Sequence, residues 1–532
     1  MALFSPSPVS EEPHPVVWGA VRVVFREPML KKEVNVVSMK MKRFKRVLCS
    51  CFLLLVLLVV SSASEGAIHV TKGGSGNKSG DSWANAMGVV EFRAALEAGT
   101  KGEYWLAKGT YTPTGGTDRD KSFVLKNNIA LYGGFAGTET DRDERDWEAN
   151  VTILSGAIGG GLRSKNVVRA ENAFSTAILD GMTITGGETT QGGGGMLIIH
   201  SSPTVRNCTF TGNKADIGGG MGIMLGSPTL TNCTFSKNVA DDSAGGMYLG
   251  FGSPTLTNCT FSENKAGAGG GIGMEGSSNP TLTNCTFTGN EAGVGGGMVI
   301  ADNSNPTLTN CTFSENVATY GGGMFLSSSD PTLTNCTFSG NGATSGGGMD
   351  IASGSKPTLM NCTFSENEAN YIGRGVSIRD GSDPTVTNTI FWGAGSVVGQ
   401  VFVQQGNPTI TYSVVDTAVF PGNGNTGTDP MLAPLADNGG PTQTCALLDG
   451  SSAIDSGTNT GAPSTDQRGV SRPQGSGYDI GAYEKEQTPV PPKPGSSGGG
   501  GCSTGPSSPW VLALLAPLAS LAMRKGSVRR GR

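Results

Sequence analysis

Pro228-Thr-Leu-Thr-Asn-Cys-Thr-Phe-Ser-Lys-Asn238 returns almost unchanged at residues 254–264, 280–290, 306–316, 331–341 and 357–367. The cysteines of these blocks and of the earlier Asn207-Cys208-Thr-Phe210 fall at 208, 233, 259, 285, 311, 336 and 362, so the period is 25 or 26 residues. Three residues after each Phe comes an Asn, at 213, 238, 264, 290, 316, 341 and 367. A glycine run and a Met-x-Ile or Met-x-Leu triplet complete most repeats, as in Met221/Ile223, Met298/Ile300 and Met324/Leu326, with Ile272/Met274 and Val376/Ile378 in the same slots.

A period this short leaves no room for a helical pair, and no window of the repeat region shows a 3.6-residue apolar spacing. Each repeat instead holds three short runs, Met-x-Ile, Thr-Leu-Thr and Cys-Thr-Phe, in which apolar and polar or β-branched residues alternate. Three strands per turn, separated by Gly, Pro and Asn, predict an all-β fold: a single-stranded right-handed parallel β-helix. Stacking each strand on its equivalent about 4.8 Å away would bury Met, Ile, Leu, Cys and Phe as continuous ladders. The Asn positions suit bends where like amides hydrogen-bond along the axis. Less regular rungs are expected at 104–111, 122–135, 151–155 and 178–187, and degenerate ones at 388–391 and 408–411. The total is about a dozen rungs, a rod on the order of 55–60 Å. Residues 81–98 (DSWANAMGVVEFRAALEA) predict a helix, with Asp81 or Ser82 as its cap, that covers the first rung against edge pairing.

Composition agrees with a solenoid and excludes several alternatives. Glycine is 83 of 532 residues without a collagen period, and charged residues are 15%. The net charge of −5, with no central basic stripe, removes the electrostatic footprint of a nucleic-acid binder. Three histidines, His14, His69 and His200, are too scattered for a histidine-based metal site.

The ends read as addresses. Lys40, Lys42, Arg43, Lys45 and Arg46 precede an apolar run at 47–60 and then Ser61-Ser62-Ala63, which predicts a signal peptide over 39–63 cleaved after Ala63. Residues 1–38 then read as an upstream extension, with Met39 or Met41 as the start. A Pro/Gly/Ser linker at 487–501 leads to Gly501-Cys502, an apolar stretch at 510–523 and a basic terminus. That arrangement over 502–532 resembles GlyGly/Synerg-type sorting signals, which implies a membrane hold by the positive-inside rule and a sorting protease acting near Gly501 and Cys502. Together these predict an exported protein at a bacterial cell surface or outer membrane, or released outside the cell.

The Gly-Gly-x-x and Phe-x-x-Asn pairs, such as Gly219-Gly-Met-Gly222 with Phe210-Thr-Gly-Asn213, resemble polymorphic outer membrane protein repeats of the pectin-lyase-like superfamily. Leu131-Tyr-Gly-Gly-Phe-Ala-Gly-Thr-Glu139 with Asp143-Glu-Arg-Asp-Trp147 resembles the N-terminal part of such surface proteins. Residues 413–486, with Asp429-Pro-Met-Leu432, Asp437-Asn-Gly-Gly-Pro-Thr442 and Asp479-Ile-Gly-Ala-Tyr-Glu484, resemble a choice-of-anchor Q domain and predict a C-terminal cap on the β-helix of 64–412. The resemblance implies either an adhesin or scaffold, or a polysaccharide lyase or glycoside hydrolase. The catalytic patterns of the superfamily are not matched: Asp241-Asp242 has no accompanying Gly-His-Gly or Arg-x-Lys.

Candidate sites follow from the stacking. Asp216 and Asp242 fall at the same turn of adjacent rungs, a spacing that suits a cation such as calcium or a pair of glycosidase carboxylates; solvated turn acids are the simpler expectation. Arg374 and Arg379 lie several rungs away. The outward residues of the Met-x-Ile strands, Leu197, Tyr248, Val299, Phe325 and Asp350, form a face on which sugar rings or a partner surface could stack. A second face carries Thr-x-Thr pairs (Thr229/Thr231, Thr255/Thr257, Thr281/Thr283) and resembles ice- or crystal-binding arrays, although Thr also simply favours exposed strands. The in-register cysteines are expected to be buried free thiols, since parallel Cβ atoms stay near 4.8 Å, beyond the distance a disulfide prefers. No cofactor is called for. The expected function is a non-catalytic surface or secreted β-helix that displays or binds glycans or partner surfaces.

Overall fold

The structure is a computed structural model and describes residues 66–393, 398–416 and 420–487. Three parallel sheets of 13, 11 and 12 strands run the length of the molecule. They hold the Thr-Leu-Thr, Met-x-Ile and Cys-Thr-Phe strands respectively, and each strand pairs in register with its equivalent one rung on, as Thr255–Thr257 does with Thr281–Thr283. The predicted β-helix of about a dozen turns is the fold.

The ladders supply its cohesion. Phe210, Phe235, Phe261, Phe287, Phe313, Phe338 and Phe364 stack with centroids 4.5–4.9 Å apart and planes within 5°. Asn213 to Asn367 form a second ladder, fully buried, in which each amide accepts from the preceding Asn and donates to the next. The glycine runs exist because neighbouring backbones meet there: a Cβ on Gly297 would lie 2.5 Å from the Gly323 carbonyl oxygen.

The seven in-register cysteines are free and buried, as expected, but they do more than fill space. Each thiol reaches the carbonyl two residues earlier across the left-handed Asn bend, as Cys233 Sγ does to Thr231 O at 3.4 Å. Where the repeat decays, Thr389 and Ser413 occupy the slot and donate to Thr387 O (3.1 Å) and Thr411 O (2.8 Å). The position therefore selects a small side chain with a donor.

Minor strands accompany the three sheets, and two expectations need correction. A fourth short strand enters several rungs, at Lys214–Ile217, Val239–Ser243, Lys265–Ala268 and Glu291–Val294, with a further pair at Gly342–Ser345 and Glu368–Ile372. The helix, α1, is Val89–Ala98 rather than 81–98. Trp83–Asn85 forms a separate 3-10 turn, and Met87 is extended because it bridges Val70. Gly88 is the cap, its N–H bonded to Glu91 Oε2 at 3.1 Å. The helix still covers the first rungs: Phe92 packs 5.6 Å from Tyr104 and 5.8 Å from Phe123, ring centre to centre.

The second correction concerns the C-terminal segment. Residues 420–426 close the last rung, with Phe420 against the core and Asn425 Nδ2 bonded to Ile410 O at 2.8 Å. Residues 431–485 instead lie along the flank as a strap, on the Cys-Thr-Phe sheet of the later rungs. Thr312 Oγ1 donates to Gln443 O (2.7 Å), Thr337 Oγ1 to Gln467 Oε1 (2.6 Å), Asn335 Nδ2 to Thr465 O (2.9 Å) and Asn388 Nδ2 to Thr458 O (2.8 Å). The repeated Asn and Thr groups offer a polar chain a regular set of partners, which draws the segment sideways.

Candidate functional site

The Met-x-Ile face is less open than its alternation implies. Leu197, Tyr248, Val299, Phe325 and Asp350 do share one ladder, interrupted by Gly222 and Gly273. Only Val299 and Phe325 are half-exposed; Leu197 and Tyr248 are buried and Asp350 entirely so. The cause is local folding back. The Tyr248 ring lies against Gly250, where a Cβ would come within 3.2 Å of it, and its hydroxyl bonds Glu275. Asp350 is held by Ser345 Oγ (2.8 Å) and Arg379 Nε (2.9 Å). Burial raises its carboxyl pKa, while Arg379 opposes the rise. The guanidinium also sits 5.5 Å from the Tyr320 ring centre and 5.7 Å from that of Phe325. The structure thus gathers Phe325 and Asp350 around Arg379, and leaves Leu197 several rungs away.

Asp216 and Asp242 meet at a β-bulge, where Lys214, Ala215 and Ile217 pair with Val239, Ala240 and Ser243. Asp216 is half-exposed and Asp242 exposed. Between the two rungs, Lys214 Nζ stands 3.0 Å from Asp241 Oδ2, so an ammonium already serves this acidic turn. Among the described residues no group of three His, Cys, Asp or Glu side chains is placed to hold a metal. Arg374 is structural, donating to Val398 O and Gly393 O and pairing with Asp416. Ala63, Gly501 and Cys502 lie outside the described residues.

A different feature, not foreseen from the residues, stands on the Cys-Thr-Phe side. A groove of about 470 Å³ is floored by Thr183, Thr209, Thr234, Asn207 and Asn232 and walled by Trp147, Glu148 and Val151. Its floor comes from successive rungs, with Thr183, Thr209 and Thr234 in one register and Asn207 and Asn232 in left-handed bends.

The wall is rigidly mounted. Asp146 Oδ1 accepts the N–H groups of Glu148 (3.0 Å) and Ala149 (2.9 Å), fixing the turn. Gly134 lets the chain approach, since a Cβ there would lie 2.7 Å from Trp147 Cα. Behind the indole, Arg145 is sandwiched with its Cζ 5.0 Å from the Trp147 ring and 5.2 Å from that of Tyr132. The same guanidinium pairs with the fully buried Asp180 at 2.8 Å, and Asp180 also binds Arg206 Nε (2.5 Å) and Asn207 Nδ2 (2.9 Å). Wall and floor therefore share one buried ionic link. Trp147 itself is 38% exposed. A sequence signal existed in the tryptophan of the polar Asp143-Glu-Arg-Asp-Trp147 run, but nothing local said what it would face.

Past Thr234 the same register continues through Thr260 and Thr286, both half-exposed, to Thr312, where the strap begins. Covered rungs differ sharply from open ones: Thr312, Thr337 and Thr363 are at most 1% exposed.

The model for the right handed beta helix region matches residues 149–295 and 296–425. No curated protein matches in sequence. Solved structures with a similar course include pectate lyase Pel9A (16% identity, TM-score 0.44, covering 80% of this chain and 98% of that one). The A-module of the Azotobacter vinelandii mannuronan C-5 epimerase AlgE4 has 12% identity and a TM-score of 0.38, covering 67% of this chain and all of that one. PfbA, a surface adhesin of Streptococcus pneumoniae, has 11% identity and a TM-score of 0.34, covering 68% and 90%. Likenesses at this level carry nothing about substrate or activity. The family match, in contrast, spans more than half of the 532 residues, and the chain belongs to the right-handed β-helix region family.

Proposed function

We propose that this chain is a non-catalytic, exported β-helix that works as a rigid display or adhesion scaffold at a cell surface and binds glycans. The observation that carries this reading is the composition of the Trp147 groove, where Glu148 is the single ionisable side chain among the lining residues. Hydrolysis of a glycosidic bond in most glycosidases takes two carboxyl groups in acid, base or nucleophile roles, and eliminative cleavage takes a base such as Arg or Lys, which the lining lacks. A lone exposed carboxylate beside an indole and five Thr or Asn side chains suits holding a chain, not breaking it. Export, surface attachment and terminal processing belong to the same proposal, and rest on the basic-apolar leader and the Cys502 tail.

The test is incubation of the full-length protein, with and without calcium, with acidic and neutral polysaccharides. Binding without new reducing ends or unsaturated products is the expected result. Product release that disappears in Asp216→Ala or Asp242→Ala would overturn the reading and make the bulge a catalytic site, calcium-dependent if chelation abolishes it.

A further inference from the structure

We infer that the groove between Trp147 and the C-terminal strap is a binding site for a neutral oligosaccharide, with Trp147 as its stacking platform and Glu148 as a filter against acidic chains. This rests on the glycan-binding reading above and gives it a place and a ligand class.

Three observations converge. The first is the pairing of an apolar wall with a polar floor. Trp147 and Val151 are exposed, at 38% and 43%, on one side. Thr183, Thr209, Thr234, Asn207 and Asn232 supply hydroxyls and amides on the other. A pyranose ring has the same division, with C–H groups on its faces and hydroxyls around its edge, so it can stack on an indole while its hydroxyls bond the floor. The indole is also fixed in advance by Arg145, Asp180 and Gly134, so little side-chain freedom is lost on binding.

The second observation is what the protein itself lays on this surface. Farther along the same ladder, Thr and Asn side chains already bond carbonyls and an amide of the strap: Thr312 to Gln443 O, Asn335 to Thr465 O, and Gln467 Nε2 to Thr312 Oγ1 at 2.8 Å. The surface thus takes uncharged polar partners wherever it is covered. The open stretch from Thr209 to Thr286 spans three rung steps, roughly 14 Å. It is bounded by Trp147 at one end and Gln443 at the other, which sets the size of ligand at a short oligosaccharide.

The third observation is charge. No cation lines the groove to meet a uronate carboxylate, and Glu148 adds like-charge repulsion. Two guanidinium groups stand close by, the buried Arg145 and the 40%-exposed Arg206, and both are already paired with Asp180.

The experiment is calorimetric titration of the full-length protein with cellohexaose, xylohexaose, mannohexaose and chitohexaose, and with hexagalacturonate, followed also by indole fluorescence. We expect at least one neutral oligosaccharide to bind and hexagalacturonate not to. Trp147→Ala should weaken the neutral ligand about tenfold, with the melting profile checked for intact folding. Thr209→Lys, which fills the floor without touching the wall, should do the same. Glu148→Lys should admit hexagalacturonate. Glycan binding that prefers the acidic chain, or that survives both Trp147→Ala and Thr209→Lys, overturns this site while leaving the glycan-binding scaffold intact. Binding of no oligosaccharide of either class overturns both, as does binding confined to extended peptides that mimic the strap.

Discussion

Two asparagine ladders run along this molecule, and replacing one residue in each should separate a bond that holds the fold from one that decorates it. Asn290 is fully buried. Its amide donates to Phe261 O and Asn316 Oδ1, both at 2.9 Å, and accepts from Asn264 N (3.1 Å) and Asn264 Nδ2 (3.0 Å). Asn290→Ala removes the partner of two buried groups, the Asn264 backbone N–H and one Asn264 amide hydrogen, while the Phe261 carbonyl keeps its place in the parallel ladder. At about 1–3 kcal/mol for each buried polar group left unpaired, the loss is about 2–6 kcal/mol. Asn290→Gly should be no better. Asn284 sits on the outer ladder, half-exposed, with φ +56° and amide bonds of 3.1 and 3.3 Å to Asn258 and Asn310. Water can replace those bonds, so Asn284→Ala mainly incurs the left-handed backbone penalty of about 1–2 kcal/mol. Asn284→Gly should remove even that. The assay is urea unfolding by circular dichroism, paired with hydrogen exchange at the Asn264 amide because a solenoid opens locally. Exchange at Asn264 should accelerate strongly in both Asn290 variants and hardly change in either Asn284 variant. If Asn290→Gly lost less than about 1 kcal/mol, or Asn284→Gly lost as much as Asn290→Gly, buried amide pairing would not be what fixes the rungs.

The thiol slot gives a second contrast. Cys285→Ser keeps a donor for Thr283 O, as Ser413 does naturally, and should melt closer to wild type than Cys285→Ala, which loses the bond and about 1 kcal/mol. Mass-mapped alkylation should leave Cys208 through Cys362 unmodified until denaturant is added, since each is at most 1% exposed, and burial also pushes the Cys208 thiol up to about 12 and raises Cys285, Cys311 and Cys336. Gly297→Ala forces a Cβ to 2.5 Å from a carbonyl oxygen and should destabilise by about 1–3 kcal/mol in the same urea assay. In the strap, burial raises Asp479 to about 6, above its unfolded value. Its neutral form is therefore favoured on folding, a contribution fully present below pH about 4 and lost as pH rises through about 6, worth about 2–3 kcal/mol. Hydrogen exchange of residues 455–485 should be slower at pH 4.5 than at pH 7, after correction for intrinsic rates, and Asp479→Asn should flatten the difference.

The repeat made most of the architecture legible, because side chains that recur every 25 or 26 residues must stack on themselves. The Cys, Phe and Asn ladders follow directly from that. The fourth strand was hidden by weak composition: Lys265-Ala-Gly-Ala268 carries neither β-branched nor aromatic residues, and forms a strand because its neighbours on both sides do. The helix start was misplaced because Trp83 has a tertiary task, a place against Phe135 and His69, that its local sequence does not announce. Register alone places Tyr248 and Asp350 outward, but Glu275 and Arg379 from the following rungs and Ser345 from the preceding strand close over them. The groove was out of reach for the same reason. Trp147, Asp180, Asn207 and Thr234 come from four separate segments, and only the stacking of an irregular early rung on regular later ones makes them neighbours.

A solenoid of near-identical rungs cannot by itself say where along its length a ligand should sit. Thr209, Thr234, Thr260 and Thr286 present the same hydroxyl at the same spacing, so a chain bound to them alone could slide by one rung at no change in energy. Position can come only from elements that do not repeat. Two such elements reach this face: the loop that carries Trp147 and Glu148, and the strap that arrives at Thr312 through Gln443 and Gln467. Both are anchored to the ladder by its own groups, the loop through Asp180 and Asn207, the strap through Asn310, Asn335, Asn361 and Asn388. The regular rungs thus provide affinity that grows with contact length, while the two irregular elements fix register and set the ends. Selectivity in this protein should therefore change with substitutions at Trp147 or Glu148 far more than with uncharged substitutions among the repeated threonines, which should alter strength of binding but not choice of ligand.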